Sequence, residues 1–429
     1  MVGGARVGAT GVTSPPANDP DRAAGSEELL DTLQQDAFGY FLQETNPVNG
    51  LAADKTQPDA PASIAAVGFA LATYPVGVER SWMTRAEAVE RTLAVLRFFW
   101  TSPQGTGAQA TGYKGFYYHF LDIATGSRGG TCELSTIDST FLLAGMLTAA
   151  TYFDRDCEDE RDIRVLADAL YRRTDWQWAR DGGATVAHGW KPESGFLQYR
   201  WEGYDEALLV YVLGLGSPTY PLPKESYAAW TSTYEWKEIY GREFLYGSAL
   251  FTHQFSHLWI DFRGIQDAFM RHKGIDYFEN SRRATYVQQQ YAVHNPLEFE
   301  GYGRYVWGLT ASDGPGATVR KVHGVDRRFF DYAARGVPHG PDDGTVAPWA
   351  VAASLPFAPE IVLPTVRHFK EMHPETLGKY CFKSSYGINL GPIVLMCENF
   401  RSGLLWRLMR RCPYLVAGLR QAGFANGWL

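Results

Sequence analysis

The chain has 429 residues, of which 45% are hydrophobic and 14% aromatic, and its formal net charge is −7. This length can bury a large core in one unit, and the mildly acidic balance argues against nucleic acid or an anionic membrane as the main partner. The sequence contains no run of 18 apolar residues, which argues against membrane insertion.

The N-terminal region, residues 1–25, is rich in Gly, Ala, Pro and Asp and predicts a disordered tail. It lacks the apolar segment of a secretory signal, which predicts a cytoplasmic protein, or a periplasmic one if a signal has been trimmed. Ser26 can cap the first helix, in which acids occupy the first turn and apolar residues recur at helical spacing.

The next part of the chain predicts three more helices. A helix rich in small residues begins at Ile64, and Thr84 with Glu87 forms a capping box that opens an amphipathic helix. After a loop rich in glycine and aromatic residues, Glu133 and Asp138 precede a strongly apolar run. Asp138 also has a purely structural explanation, because an acid at the third helical position completes a capping box.

The stretch from residue 189 to 220 joins an aromatic loop, three acids and an apolar segment with helical spacing. Aromatic rings cover the apolar faces of pyranoses, and carboxylates bind hydroxyls or move protons, so this junction suits a sugar. The alternative is structural, because acids in a first helical turn are favoured by the helix dipole. The rings and acids are Trp190, Phe196, Tyr199, Trp201, Tyr204, Glu202, Asp205 and Glu206.

The segment from residue 231 to 269 carries further candidates, namely Tyr246, His253, His257, Asp261 and Arg263. His253 and His257 share a face if this segment is helical, a spacing that can bind metal, but the sequence HQFSH lacks the glutamate of a zincin motif. We therefore favour hydrogen-bonded or sugar-contacting histidines over a metal site. Glycines elsewhere do not match phosphate-binding spacing, so the sequence predicts no cofactor.

The C-terminal third repeats the pairing of acids with apolar helices. A glycine-rich loop carries Trp307 and Asp313, the acids Asp342 and Asp343 precede an apolar segment, and residues 391–409 predict one largely apolar helix. The whole chain reads as about a dozen helices with long aromatic loops and few strands. This pattern predicts an all-α fold, an α/α toroid with its long loops at one mouth.

Several motifs together resemble one family. They are ELSTIDSTFLLAGML, DWQWAR, GWKPESGFLQYRWEGYDEALLVYVLGLGSPTYPL, WIDFRGIQDAFMR, GIDYFENSRRAT, GYGRYVWGLTASDGP, DDGTVAP and GPIVLMCENFRSGLLWRL. From Leu29 to Met409, the chain is similar to the glucoamylase-like proteins of glycoside hydrolase family 144. The resemblance implies an (α/α)6 barrel, formed by residues 26–429 as a single catalytic domain. It also implies hydrolysis of β-1,2-glucans or sophoro-oligosaccharides with inversion.

The resemblance also implies which residues are catalytic. The family's general acid corresponds to Glu206, in the EAL motif that starts the helix after the aromatic loop, and a second family acid corresponds to Asp138. Asp138 is one methylene shorter than the family's glutamate. Ser135 stands where some members have another acid, and Glu133 could compensate for it. The general base is left open among Asp342, Asp343 and Asp313.

A sugar needs flat apolar platforms, so we expect five rings to line one cleft. They are Trp190, Trp201, Tyr204, Tyr246 and Trp307. Further substrate contacts are expected from Glu133, His253, His257, Asp261 and Arg263. The predicted partner is an oligosaccharide or polysaccharide, and the oligomeric state is left open. Two alternatives to hydrolysis are a transglycosylase that uses the same site and a non-catalytic carbohydrate-binding homologue.

Overall fold

Helices dominate the regular structure, as the sequence predicts. A computed structural model describes residues 20–383 and 386–429. Its α-helices are α1 (Pro20–Gln43), α2 (Ile64–Glu79), α3 (Arg85–Thr101), α4 (Thr136–Tyr152), α5 (Glu158–Arg172), α6 (Leu208–Gly216), α7 (Lys224–Thr231), α8 (Ala268–Lys273), α9 (Tyr277–His294), α10 (Pro348–Ala353), α11 (Pro359–Met372), α12 (Gly387–Arg401), α13 (Leu404–Met409) and α14 (Pro413–Gln421). Short 3-10 helices cover Trp178–Arg180, Leu250–His253, Phe255–Leu258 and Pro374–Thr376.

The strands are short, and their pairs are antiparallel. They are β1 (Ala62–Ser63), β2 (Gly112–Tyr113), β3 (Phe116–Tyr118), β4 (Phe120–Leu121), β5 (Leu134–Ser135), β6 (Gly189–Lys191), β7 (Gly195–Phe196), β8 (Trp236–Ile239), β9 (Arg242–Leu245), β10 (Ala311–Ser312), β11 (Thr318–Val322), β12 (Val325–Phe329), β13 (Ala333–Ala334), β14 (Leu377–Gly378) and β15 (Cys381–Phe382). Five of them form one sheet in the order β2-β3-β5-β6-β7, and the others pair in twos. The expectation that strands are minor is confirmed.

Helices α2 and α4 cross at glycines inside the core, and nearly all residues of both are buried. A Cβ on Gly145 would lie 2.1 Å from the carbonyl oxygen of Gly68, and one on Gly68 would lie 2.4 Å from that of Phe141. Glycine therefore permits a backbone approach that any side chain would block. This crossing fixes the position of α4, which carries a candidate acid near its N-terminus.

Serine caps set the starts of α2 and α4 where a short strand runs into each helix. Ser63 Oγ accepts a hydrogen bond from the N–H of Ala66 at 3.4 Å, and Ser135 Oγ accepts one from the N–H of Asp138 at 3.2 Å. Each bond satisfies an N–H group that the helix leaves without a partner. The capping box predicted at Thr84 is also present.

Two predicted boundaries differ from the structure. Helix α1 begins at Pro20 rather than Ser26, so residues 20–25 of the predicted tail are helical, while residues 1–19 lie outside the described residues. Proline suits a first helical position because its fixed φ matches the helix. The helix predicted over 391–409 is divided into α12 and α13, because Gly403 between them adopts a left-handed φ of 70°.

Candidate active site

Four carboxylates from separate parts of the chain converge on the hydroxyl group of Tyr332. Burial of that hydroxyl raises the pKa of Tyr332 to about 12, and the negative charges of the four carboxylates add to the shift. The Tyr332 side chain as a whole is 60% exposed, so it lies at the protein surface, within range of the charges of these acids. The carboxylates, called the acid cluster below, are Asp54, Asp138, Glu206 and Asp313.

Glu206 lies just before α6, whose N-cap residue is Ala207. The hydroxyl of Ser256 donates a hydrogen bond to the backbone carbonyl of Glu206 at 3.0 Å and so holds the turn. Burial raises the pKa of Glu206 to about 7, and the negative charge of Asp138 adds to the shift. Glu206 can therefore hold a proton near neutral pH.

The adjacent Asp205 has a different local role. Its Oδ1 accepts a hydrogen bond from the N–H of Ala207 at 3.0 Å, so Asp205 stabilises the start of α6. Burial raises the pKa of Asp205 well above its usual range, and the charge of Glu206 raises it further. The sequence allowed that the acids here serve only to stabilise the helix start, and the structure gives that role to Asp205.

Asp138 belongs to a chain of polar contacts. Its carboxylate accepts a hydrogen bond from the hydroxyl of Ser135. It also lies 3.6 Å from Nε2 of His119, whose Nδ1 lies 2.8 Å from Oε1 of Glu133. Burial alone would lower the pKa of His119, but the charges of Asp138 and Glu133 raise it to about 9. His119 is therefore an imidazolium at neutral pH.

Asp54 and Asp313 complete the acid cluster. Burial raises the pKa of Asp54 to about 6, against the opposing charges of His119 and Lys55. Asp313 is exposed, and its Oδ2 accepts a hydrogen bond from the hydroxyl of Tyr386 at 2.7 Å. The sequence left three candidates for the general base, and of these Asp313 is the one that belongs to the acid cluster.

The site includes three residues that sequence reasoning did not select, namely Asp54 in the acid cluster and His119 and Tyr332 beside it. Two of them carried a weak signal. His119 follows an aromatic strand and Asp54 lies in a loop of irregular backbone, but neither belongs to a recognisable motif. Their roles depend on partners far away in sequence.

Two predicted sugar platforms lie near the start of α4. Trp190, on β6, is partly exposed and stacks on Tyr113 with ring centroids 5.1 Å apart. Trp201 is buried and stacks on His188 at 3.9 Å. Its Nε1 donates a hydrogen bond to Thr136 Oγ1 at 2.9 Å. Trp190 remains available as a platform, whereas Trp201 mainly braces the first residue of α4.

The other three predicted rings are in different surroundings. Tyr204 is 6% exposed and stacks on Tyr277, and Trp307 is fully buried. Tyr246 is partly exposed, with Nζ of Lys237 4.0 Å above its ring. The expectation that all five rings line one cleft is therefore corrected for Trp201, Tyr204 and Trp307, because core packing covers their faces.

The two histidines selected from the sequence are buried core residues. They belong to successive 3-10 helices rather than one α-helix. Nε2 of His253 contacts the carbonyl oxygen of Gly247 at 3.0 Å, and Nε2 of His257 contacts Ser281 Oγ at 2.9 Å. Burial lowers the pKa of both, that of His253 to about 4, so both are neutral. The expected substrate contact is corrected, because burial separates both rings from solvent.

Asp261 and Arg263 form an ion pair instead of a substrate site. Nε and Nη2 of Arg263 each donate to the carboxylate of Asp261 at 2.7 Å, and Arg410 donates to it as well. Asp261 is buried, so these guanidinium groups compensate its charge. Both carboxylate oxygens are occupied, which corrects the expectation that this pair binds substrate.

Asp342 and Asp343 are likewise held by protein donors. The guanidinium of Arg335 donates to both oxygens of Asp343 at 2.6 and 2.7 Å, and both side chains are fully buried. Asp342 accepts hydrogen bonds from the hydroxyls of Tyr291 at 2.8 Å and Tyr302 at 2.7 Å. Both residues were candidates for the general base together with Asp313, and this expectation is corrected for the pair because protein donors occupy both carboxylates.

Within residues 20–383 and 386–429, the His, Cys, Asp and Glu side chains form no group of three or more that could hold a metal ion. None of the helices in these ranges is long and apolar enough to cross a membrane.

Comparison with known families gives one match that includes Glu206 and Asp313. A family model described as putative glucoamylase matches residues 198–413. This match begins after Asp138 and His119, so it covers only part of the acid cluster and its surroundings.

One curated relative is the exo β-1,2-glucooligosaccharide sophorohydrolase (non-reducing end) of Parabacteroides distasonis. It is 28% identical to this chain over 92% of the chain. The chain spans 58% of the length of that relative.

Two solved structures are similar over nearly their whole length. A putative glucoamylase from Bacteroides uniformis has a TM-score of 0.84 and 30% identity, with 94% of this chain and 98% of that chain covered. The endo-β-1,2-glucanase from Chitinophaga pinensis, in complex with sophorotriose and glucose, has a TM-score of 0.79 and 26% identity. That alignment covers 94% of this chain and 99% of the glucanase.

Proposed function

The chain belongs to the putative glucoamylase family, and on that premise we propose that it is a glycoside hydrolase that cleaves β-1,2-linked glucans or sophoro-oligosaccharides. The names of two relatives support this substrate class, one as a sophorohydrolase and one as an endo-β-1,2-glucanase. The proposal extends to the architecture, in which the helices form an (α/α)6 barrel and residues 26–429 form one catalytic domain.

The observation that carries the proposal is the unequal surroundings of two acids in one cluster. Burial raises the pKa of Glu206 to about 7, which suits a proton donor. Asp138 lies beside the cationic ring of His119 and accepts a hydrogen bond from Ser135, which suits a negative charge. Surroundings that favour the protonated form of one carboxyl group and the negative charge of another are typical of an acid and base pair.

These roles give an inverting hydrolysis. Glu206 donates its proton to the glycosidic oxygen as the bond from that oxygen to the anomeric carbon breaks. Asp138 removes a proton from a water molecule, whose oxygen bonds to the anomeric carbon from the opposite face. Both carboxyl groups then return to their starting protonation states by exchange with solvent. The products are two shorter sugars, one of which carries a new reducing end.

The exposed rings near the cluster supply binding surface. Tyr332 is an exposed ring within range of the charges of the acid cluster, and Trp190 presents a partly exposed ring on β6. Such rings pack on the apolar faces of pyranoses, and partly exposed rings need little rearrangement to receive them. Tyr246 is the remaining predicted platform with an accessible side chain.

The direct test is a substrate panel. The purified chain is incubated with linear β-1,2-, β-1,3-, β-1,4- and α-linked glucans, and reducing ends, products and their anomeric form are measured. We expect new reducing ends from the β-1,2-linked substrates, with the anomer opposite to the substrate linkage. Redistributed chain lengths at a constant number of reducing ends would instead indicate a transglycosylase. Binding without turnover would indicate a carbohydrate-binding protein.

A further inference from the structure

His119 lies between two carboxylates, with one ring nitrogen directed to each. Nδ1 is 2.8 Å from Oε1 of Glu133, and Nε2 is 3.6 Å from Oδ2 of Asp138. A neutral imidazole has one N–H group, so one carboxylate would then face a ring lone pair. The protonated ring presents an N–H to both. The geometry therefore fits an imidazolium and is unfavourable for either neutral tautomer.

Main-chain pairing fixes this ring in place. Tyr118 pairs with Leu134 between the antiparallel strands β3 and β5, so His119, which follows Tyr118, lies opposite Glu133, which precedes Leu134. The N–H of His119 donates to the carbonyl oxygen of Glu133 at 2.9 Å. The His119 ring also stacks on Phe120, with centroids 4.0 Å apart and planes 13° from parallel. The two side chains meet because their backbones are already hydrogen-bonded.

We infer that His119 is a positioning residue, whose positive charge and fixed orientation hold the Asp138 carboxylate ionised and directed for its role as general base. This inference rests on the proposed hydrolase function. Glu133 holds His119 from the other side, and Ser135 holds Asp138, so one relay runs Glu133–His119–Asp138–Ser135. His119 does not touch the reacting atoms in this scheme.

The relay also keeps the two catalytic carboxyls chemically distinct. Glu206 must hold a proton while Asp138 must accept one, although both belong to the same cluster. A cation next to Asp138 favours the proton on Glu206, because opposite charges stabilise the ionised form of the nearer carboxyl. The titratable or charged groups facing His119 are Glu133 before β5, Asp138 on α4 and Asp54 before β1. Lys191 in turn faces Glu133, and Lys55 and Asp313 face Asp54.

The kinetic test is His119→Gln, which retains a hydrogen-bonding side chain and removes the charge. We expect the acidic limb of the kcat/KM profile against pH to move upward by about one unit, since an opposite charge this close shifts a carboxyl by at least that much. His119→Lys restores a cation and should move the limb back towards its wild-type position. A lower rate with an unmoved pH profile in His119→Gln would overturn the inference.

The matched control is His373→Gln. His373 also contacts a glutamate, with Nδ1 3.0 Å from Oε1 of Glu375, but the pair is exposed at the end of α11. Its removal should leave the pH profile unchanged. An equal shift in both variants would assign the effect to net charge and overturn a specific role for His119.

A second measurement does not depend on turnover. The NMR signals of the His119 ring, identified by their loss in His119→Gln, should titrate with a midpoint near pH 9 and at a lower pH in Glu133→Gln. A midpoint at or below the ordinary histidine value would overturn the inference while an active wild type kept the proposed function. A wild type inactive on every glucan would overturn the proposed function, and with it the role of His119 towards a base.

Discussion

The hydroxyl of Ser135 accepts a hydrogen bond from the backbone N–H of Asp138 at 3.2 Å and donates one to the carboxylate of the same residue. One side chain therefore caps α4 and orients a candidate catalytic group. Ser63 caps α2 in the same way, but Ala66 occupies the position equivalent to Asp138. A comparison of variants at the two serines can therefore separate the effect of losing a helix cap from the effect of losing the contact with Asp138.

Ser135→Ala and Ser63→Ala should each destabilise the protein by about 1 kcal/mol, because each removes a helix cap. Ser135→Ala should in addition lower kcat by about tenfold, since a hydrogen bond to a charged group is worth about 1.5 kcal/mol. Thermal unfolding and steady-state kinetics on β-1,2-glucan measure the two effects. Equal kcat values for both variants would restrict Ser135 to capping.

The start of α4 was predictable from sequence because a cap is a local contact. Ser135 and Asp138 lie three residues apart, and that spacing is sufficient to place both at a helix start. The same reasoning identified the box at Thr84. Glu206 was placed beside a helix start for the same local reason, and family resemblance suggested its role.

The relay through His119 was not predictable because it depends on strand register. His119 and Glu133 meet only when β3 and β5 pair with Tyr118 opposite Leu134. The role of Asp343 was also not predictable, because its acidic neighbour suggested catalysis whereas its actual partner is a buried arginine. A pattern of residue types cannot distinguish a free acid from one that is neutralised by a distant part of the chain.

Asp343→Asn should destabilise the protein without removing catalysis. It leaves the guanidinium of Arg335 buried without its counter-charge, and breaking a buried pair in this way costs about 3–5 kcal/mol. Chemical unfolding measures this loss, and kcat is measured on the fraction that remains folded. Asp326→Asn, at an exposed position on β12, is the control and should change neither quantity. A loss of kcat at unchanged stability would return Asp343 to the list of base candidates.

Tyr332→Ala should weaken substrate binding and leave stability unchanged, because the side chain is 60% exposed. We expect KM to rise up to about tenfold, the value of one aromatic contact, while Tyr332→Phe retains the ring and most of the affinity. Tyr220→Ala, at a surface tyrosine that is 44% exposed, is the control. If KM is the same in Tyr332→Ala and wild type, the ring is not a sugar platform.

Glu206→Gln should nearly abolish turnover, by about 10²–10⁴-fold, because Gln keeps the shape of Glu but has no proton to donate. Aryl glycosides with good leaving groups need little protonation and should be cleaved with a smaller loss. The control is Glu225→Gln, which removes an exposed first-turn acid of α7. Near-wild-type turnover by Glu206→Gln on the true substrate would reject it as the general acid.

Glu206→Gln should also change how stability depends on pH. The carboxyl titrates at its ordinary value of 4.5 when unfolded and at about 7 when folded, so between these values the native state binds more protons than the unfolded state. The stability that this group contributes is therefore fully present below pH 4.5 and is lost as the pH rises through 7.

Gln does not ionise, so Glu206→Gln should unfold at a higher temperature than wild type at pH 8, whereas the difference should be much smaller at pH 5. An acid that served only the helix dipole would behave in the opposite way, because its ionised form stabilises the helix by about 0.3–1 kcal/mol. Glu225→Gln should show that opposite behaviour and lower the melting temperature slightly at pH 8. Thermal unfolding of the three proteins at both pH values distinguishes the two explanations. A lower melting temperature for Glu206→Gln than for wild type at pH 8 would mean that the fold favours the ionised form of Glu206, which contradicts the raised pKa that suits a proton donor.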